Sequence, residues 1–341
     1  MPPAARSVVA TFAPAVTVLA FLVLAAAAAF PARAQAPVLR YGQAISAQKS
    51  IYSLPIAVAE REGLFRREGL DFRVVIPLPG GSDKMIAALH DDTVDVTHVA
   101  TPFLVRAALA GSDAVAIAAE FNNPVYSLVA RPEIGRMADL KGKVVGMADP
   151  AGSITFSMRK LLALHGVRDA DIKVRIIEGT PARLSCLRRG ECSAVPLGQP
   201  QDFLAQSEGY RLLGYSTEAV PEFLYTVTAA RRSWAAANPD AVTRYVRALA
   251  AAFRMMRDPA RRGAVVQTIV ETTGVPAAIA ERTLALYFEP ERKVLPRQGE
   301  IDLAGLARVI AFMAEAGQLK APLPAPERFV DLRYLQAAGI R

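Results

Sequence analysis

The stretch that most constrains the fold runs from Arg40 to Val75. Leu39, Tyr41 and Gln43 open an extended run, and a polar loop follows from Ser46 to Ser53. Ile56, Ala57, Ala59 and Glu60 then start a helical pattern that stops at Gly63, and Phe72, Val74 and Ile76 alternate as a strand does. Two strands joined through a helix make a right-handed crossover, the unit of a parallel sheet. Such sheets bind ligands beyond the carboxyl ends of their strands. The loop from Gln43 to Tyr52 is therefore expected to face a binding crevice.

The unit recurs. Ser82 or Asp83 is expected to cap a helix with Met85, Ile86 and Leu89 on one face, before a strand at Val94–Val99. Thr101-Pro102 opens another helix, and Val115, Ile117 and Ala119 form a strand that ends near Asn122. The pattern restarts after Tyr126. Val144–Met147 is a strand, Ser153 or Thr155 caps a helix, Val174–Ile177 is a strand, and Thr180-Pro181 opens a helix to about Arg189. Beyond Pro221 the chain turns mainly helical, with Val242, Tyr245, Val246, Leu249, Phe253 and Met256 at helical spacing. This reads as an α/β chain of two lobes. Lobe one is 38–123 plus 222–341, and lobe two is 124–221. Two chain crossings make a hinge with a cleft between the lobes.

The first thirty residues carry one charge, Arg6, and the run from Val8 to Phe30 is almost wholly apolar. Ala32-Arg33-Ala34 fits the small-x-small rule for signal peptidase, so 1–34 is expected to be a signal peptide, removed on export to the periplasm. The competing reading is a retained membrane anchor. Formal net charge is +8, and loss of Arg6 and Arg33 would leave +6. The basic residues are scattered in short pairs such as Arg66-Arg67, which argues against nucleic acid. Cys186 and Cys192 form either a short loop-closing disulfide or two buried free thiols.

Four loops are expected at the cleft: Gln43–Tyr52, Gly80–Asp83, Thr101-Pro102 and Pro150–Thr155. Three of them sit at helix N-termini, where free N–H groups and the helix dipole favour an anion. Ser82, Thr101, Ser153 and Thr155 add hydroxyl groups, and glycines let backbone approach a ligand. Signs of catalysis are poor. No Gly-x-Ser-x-Gly, no cysteine with a placed histidine and no dinucleotide fingerprint is present. No metal or other cofactor is expected. His98, late in a strand, is expected near the cleft.

Several segments, in order, carry a resemblance: Ala59-Glu60-Arg61-Glu62-Gly63-Leu64-Phe65 with Glu68-Gly69-Leu70, then Gly80-Gly81, Val94-Asp95-Val96 and Thr101-Pro102. Asp139-Leu140-Lys141-Gly142-Lys143-Val144-Val145-Gly146 is the most specific, and Leu187 to Ala194 with Pro200 completes the set. The chain resembles the substrate-binding proteins of ABC importers of the nitrate/sulfonate/taurine type, a group that includes thiamine-pyrimidine-precursor binders. The resemblance implies the two-lobe periplasmic-binding-protein fold of type II, with extra C-terminal helices. It implies a monomer that captures a small-molecule solute and delivers it to an ABC permease in the inner membrane. The implied solute is anionic or heteroaromatic: a sulfonate, a nitrate- or taurine-like anion, an aromatic acid or a pyrimidine. The implied ligand-binding positions are Gln43, Ser46, Tyr52, Gly81, Ser82, Thr101, Asn122, Gly152, Ser153, Thr155 and Gln199. The alternative is an enzyme on the same fold acting on a small pyrimidine or aromatic acid.

Overall fold

The computed structural model describes residues 1, 4, 36–44, 50–75, 81–220 and 222–340. The stretch 5–35, which holds most of the expected signal peptide, lies outside the described residues, as does Ser46.

The chain opens with β1 (Val38–Gly42), α1 (Leu54–Arg61), the short α2 (Leu64–Arg67) and β2 (Asp71–Val75). Next come α3 (Ser82–His90), β3 (Val96–Ala100), α4 (Thr101–Leu109) and β4 (Ala114–Phe121). A second set follows: β5 (Ser127–Ala130), β6 (Val144–Met147), α5 (Ser153–Leu164), β7 (Lys173–Ile176), α6 (Thr180–Arg188), β8 (Ala194–Leu197), α7 (Gln201–Ser207) and β9 (Arg211–Tyr215). The chain then returns through β10 (Thr226–Arg231) to the helices α8 (Arg232–Ala237), α9 (Pro239–Arg257), α10 (Arg262–Thr273), α11 (Ala277–Tyr287), α12 (Leu303–Glu315) and α13 (Arg333–Ala337).

Two five-stranded sheets share one plan. The first has the order β2-β1-β3-β10-β4 and the second β7-β6-β8-β5-β9. In the first, β1 runs parallel to β2 and β3, with Tyr41 opposite Val74, while β10 runs antiparallel to β3 and β4. In the second, β6 is parallel to β7 and β8, and β5 is antiparallel to β8 and β9. Parallel strands place their connecting loops at one sheet end, so both sheets present helix N-termini there.

The helical face that the sequence marks on α9 is buried as its spacing demands, with Val242, Tyr245, Val246, Leu249 and Phe253 wholly inaccessible. Burying each such side chain contributes about 1.5–3 kcal/mol. Tyr245 stacks on Phe65 and Phe72, with centroids 5.8 and 6.2 Å away. The outer edge of β4 is covered by the C-terminal segment: Ala119 N–H donates to Gly299 O at 2.8 Å and Asp331 N–H to Ala116 O at 2.9 Å. An edge strand of eight buried residues is thereby kept from open pairing.

Two segments pass between the sheets, one after β4 and one after β9. Ser216 ties them together. Its hydroxyl donates to Pro124 O at 2.5 Å and accepts from Tyr126 N–H at 2.8 Å. The chain after Pro221, expected to pack with the first sheet, touches both. α11 packs on α7, and the Tyr287 hydroxyl donates to Gln199 Oε1 at 3.1 Å. Phe312 of α12 stacks on Phe156 of α5 at 4.3 Å. The apolar faces of these late helices find their burial on the second sheet's helices as well as the first. Cys186 and Cys192 are joined in a disulfide between α6 and the segment just before β8, which settles the choice that the spacing left open.

Candidate ligand-binding cleft

The loops beyond the strand ends enclose a cavity of about 520 Å³. Gly81, Ser82, Asp83, Lys84, Ala100 and Phe103 line it from the first sheet's side, and Ala148, Asp149, Gly152, Ser153, Ile154, Glu178 and Gly179 from the second's. It continues into an inner chamber of about 150 Å³, lined in addition by Ser50, Tyr52, His98, Tyr126, Thr180 and Arg183. Gly81, Ser82, Ala100, Ala148, Ile154, Glu178, Gly179 and Tyr225 border both spaces.

Three helices start at this cleft, and each has glycine at its N-cap: Gly81 for α3, Gly152 for α5 and Gly179 for α6. No side chain caps any of the three. Expected N-caps Ser82 and Ser153 are instead the first helical residues, and Thr155 is the third. Their hydroxyls go elsewhere, because the glycine before them already holds the cap position. The first-turn N–H groups, which lack intrahelical partners, are left facing the cleft with the positive dipole ends. Gly179 has φ +79°, a conformation open to glycine and strained for other residues.

Aromatic rings wall the inner chamber. Tyr52 stacks on Tyr126 at 5.8 Å and meets Tyr225 edge-on at 5.4 Å, and the Tyr126 and Tyr225 hydroxyls lie 3.2 Å apart. Burial pushes the Tyr52 and Tyr225 phenols well above their ordinary pKa, so they act as neutral hydrogen-bonding groups. A carbon on Gly198 would sit 3.3 Å from the Tyr126 ring and 3.6 Å from Tyr52, so glycine there leaves the rings their place. His98 reaches the chamber from β3. Its Nδ1 lies 2.7 Å from Glu120 Oε2, and Glu120 also accepts from Thr228 Oγ1 at 2.7 Å and the Tyr41 hydroxyl at 3.2 Å.

Arg183 enters from α6 and is 2% exposed. Its Nε donates to Pro196 O at 2.7 Å, and its two terminal nitrogens donate to Ile177 O and Thr180 Oγ1, each at 3.1 Å. Burial pulls its pKa down. Glu178, beside it, has its carboxyl pushed up by partial burial and by Asp149, with Arg183 opposing. Among the described residues no group of three or more His, Cys, Asp or Glu side chains is placed to hold a metal ion.

Of the expected site residues, Tyr52, Gly81, Ser82, Gly152 and Ser153 line the cleft. The Ser153 hydroxyl is buried there with no hydrogen-bond partner among the described residues. The other described ones, Gln43, Thr101, Asn122, Thr155 and Gln199, lie apart from the lining. Gln199 is wholly buried behind it, its amide donating to Asp202 Oδ2 at 3.0 Å while its oxygen accepts from Tyr287. The Thr101 hydroxyl donates to Tyr225 O at 3.1 Å and the Thr155 hydroxyl to Ala148 O at 2.9 Å, so both serve the backbone. Asn122 is half-buried in the first crossing, its N–H on Val294 O at 2.8 Å. Gln43 borders a separate hollow with Ser53, Ile56, Ala57, Glu60, Val74 and Thr272.

Sequence reading missed Arg183, Glu178, Tyr126 and Tyr225. One signal for Arg183 was present. It shares the three- and four-residue spacing of Cys186 and Leu187 on the buried face of α6, where an arginine is out of place without a task.

Comparison with known proteins agrees with this architecture. The alkanesulfonate-binding protein SsuA of Xanthomonas axonopodis pv. citri superposes with a TM-score of 0.68 at 20% identity, covering 86% of this chain and 98% of that one. The periplasmic nitrate-binding protein NrtA of Synechocystis superposes with a TM-score of 0.72 at 13% identity, covering 89% of each chain. These likenesses establish the two-lobed fold of periplasmic binding proteins. YtlA of Bacillus subtilis, named as a binding protein, is 27% identical over 211 residues, which are 59% of this chain. The match spans 61% of that relative's length. The model of the NMT1/THI5-like family matches residues 50–261, more than half of the chain, and the protein therefore belongs to the NMT1/THI5-like family.

Proposed function

We propose that this protein is the extracytoplasmic solute-binding component of an ABC importer. It holds a small anionic or heteroaromatic solute between two lobes, 38–123 with 222–341 and 124–221, and passes it unaltered to a membrane permease. One observation carries the reading. Three helix N-termini without side-chain caps, one from the first sheet's side and two from the second's, open onto a single cavity of about 520 Å³. Such termini attract anions, and a ligand touching both sides favours the closed form by its differential affinity. The relatives named for sulfonate and nitrate binding support the same class of solute. The disulfide suits an oxidising compartment such as the periplasm.

The test is a melting-temperature and small-angle-scattering screen of the purified protein against small anions and ring compounds, with mass spectrometry of whatever co-purifies. A bound solute that raises the melting temperature and compacts the protein is expected. A panel that does neither removes the reading. Export is tested by N-terminal sequencing of protein recovered from a periplasmic fraction, with Gln35 expected first.

A second reading, an enzyme on the same fold, rests on His98 and its buried partner Glu120 beside the inner chamber. Turnover of a bound pyrimidine or aromatic acid, abolished by His98→Ala, is its required result.

A further inference from the structure

Arg183 has no assigned role, and its surroundings ask for one. It is the only lysine or arginine among the buried described residues. A guanidinium carries five N–H donors. Three are spent, all on neutral acceptors: Pro196 O, Ile177 O and Thr180 Oγ1. Two remain without a partner among the described residues, and no carboxylate comes within ion-pair distance. Glu178 acts on it electrostatically without contact. A buried charge in this state is costly unless something supplies the opposite charge.

We propose that Arg183 determines the specificity of the cleft. It receives the oxyanion head of an organic monoacid, a carboxylate or a sulfonate, in the inner chamber, while the body of the solute fills the outer cavity. This rests on the solute-capture reading above.

The chamber fits such a head. Its volume of about 150 Å³ is room enough for an oxyanion. The starts of α3 and α6, at Gly81-Ser82 and Gly179-Thr180, line it together with Arg183. The arginine is held rigid by its three contacts and by the Cys186–Cys192 bridge one helical turn on, so little order is lost on binding. The outer cavity differs in kind. Phe103, Asp83, Asp149 and Lys84 line it alone, setting an apolar ring and two carboxylates against one lysine, while Glu178 borders both spaces. A second negative charge on the solute would meet those carboxylates. Monoacids with apolar or hydrogen-donating bodies are favoured, and diacids are rejected.

The experiment uses the purified full chain and matched probes, read by calorimetry. Benzoate, cinnamate and propanesulfonate are the acids. Benzamide, cinnamamide and propanesulfonamide are their neutral counterparts, and phthalate and succinate are the diacids. Expected is binding of at least one acid, with its neutral counterpart and the diacids weaker by about a hundredfold. Arg183→Gln should abolish the preference and Arg183→Lys should keep part of it, both with an unchanged circular-dichroism spectrum. If Arg183→Gln does not fold, the acid-against-amide comparison on the unaltered protein decides alone. Amides that bind as tightly as acids, or Arg183→Gln that keeps its affinity for the acid, overturn the proposal. If neutral compounds bind and close the lobes while acids do not, the receptor reading stands and this one falls. If nothing binds and nothing co-purifies, both fall.

Discussion

Glu120 shows how much one side chain can organise. It is wholly buried and accepts hydrogen bonds from Tyr41, Thr228 and His98. Thr228 in turn lies 2.8 Å from the Tyr245 hydroxyl on α9. Glu120→Ala leaves those donors unmatched in the core, so chemical denaturation should show a loss of about 3 kcal/mol or more. Glu178 works in the other direction. Its carboxyl is raised above the ordinary value of 4.5, so the folded protein holds that proton more tightly than the unfolded chain does. The stabilising share of that difference is complete below pH 4.5 and fades as pH rises through the folded pKa. Glu178→Gln should therefore raise the melting temperature of the ligand-free protein at neutral pH and leave it unchanged below pH 4.5. Melts across that range check the sign, and a gain of equal size at every pH contradicts it.

At the scale of elements, α6 combines the functions. Its N-terminus and Arg183 face the cleft, and its last turn is bridged through Cys186 to Cys192, two residues before β8. A loop this short closed by a disulfide stabilises by about 2 kcal/mol. The double variant Cys186→Ser with Cys192→Ser should lose about that much, and reductant should lower the melting temperature of the natural protein while leaving the variant's unchanged. The helix starts also show the grain of sequence reading. Thr101-Pro102 opens α4 as expected, yet Thr101 is its first residue and Ala100 its N-cap. Intrinsic preference favours Ser and Thr as N-caps. At α3 and α5 a glycine one residue earlier holds that position, which moves each hydroxyl into the first turn.

For the whole molecule, the late helices tie the halves together. α11 and α12 reach both sheets, through Tyr287 on Gln199 and Phe312 on Phe156. Arg106 of α4, its pKa lowered by burial, donates to Ala151 O at 3.3 Å and to Gln318 Oε1 at 3.0 Å. These contacts are expected to restrain opening. Phe312 is partly buried, and Phe312→Ala, which removes its aromatic stack, should cost about 1–2 kcal/mol. It should also widen the difference in radius of gyration between solute-free and solute-bound protein, as scattering would report. An unaltered difference would mean that α12 does not restrain the hinge.

Period and punctuation alone carried the α/β order. Alternation marked the strands, three- and four-residue spacing marked α9, and Asn238-Pro239 and Asp258-Pro259 bounded it, because these signals arise from backbone geometry and act locally. The glycine-rich helix starts were legible for the same reason, and so Gly81, Ser82, Gly152 and Ser153 were found at the cleft. What lies across it was not legible. Whether Gln199 faces a ligand or Tyr287, and whether Arg183 meets solvent or a closed chamber, depends on residues tens of positions away along the chain. Only the packing of both sheets and the late helices sets those neighbours, since burial and hydrogen-bond partners are properties of the assembled space and not of local spacing.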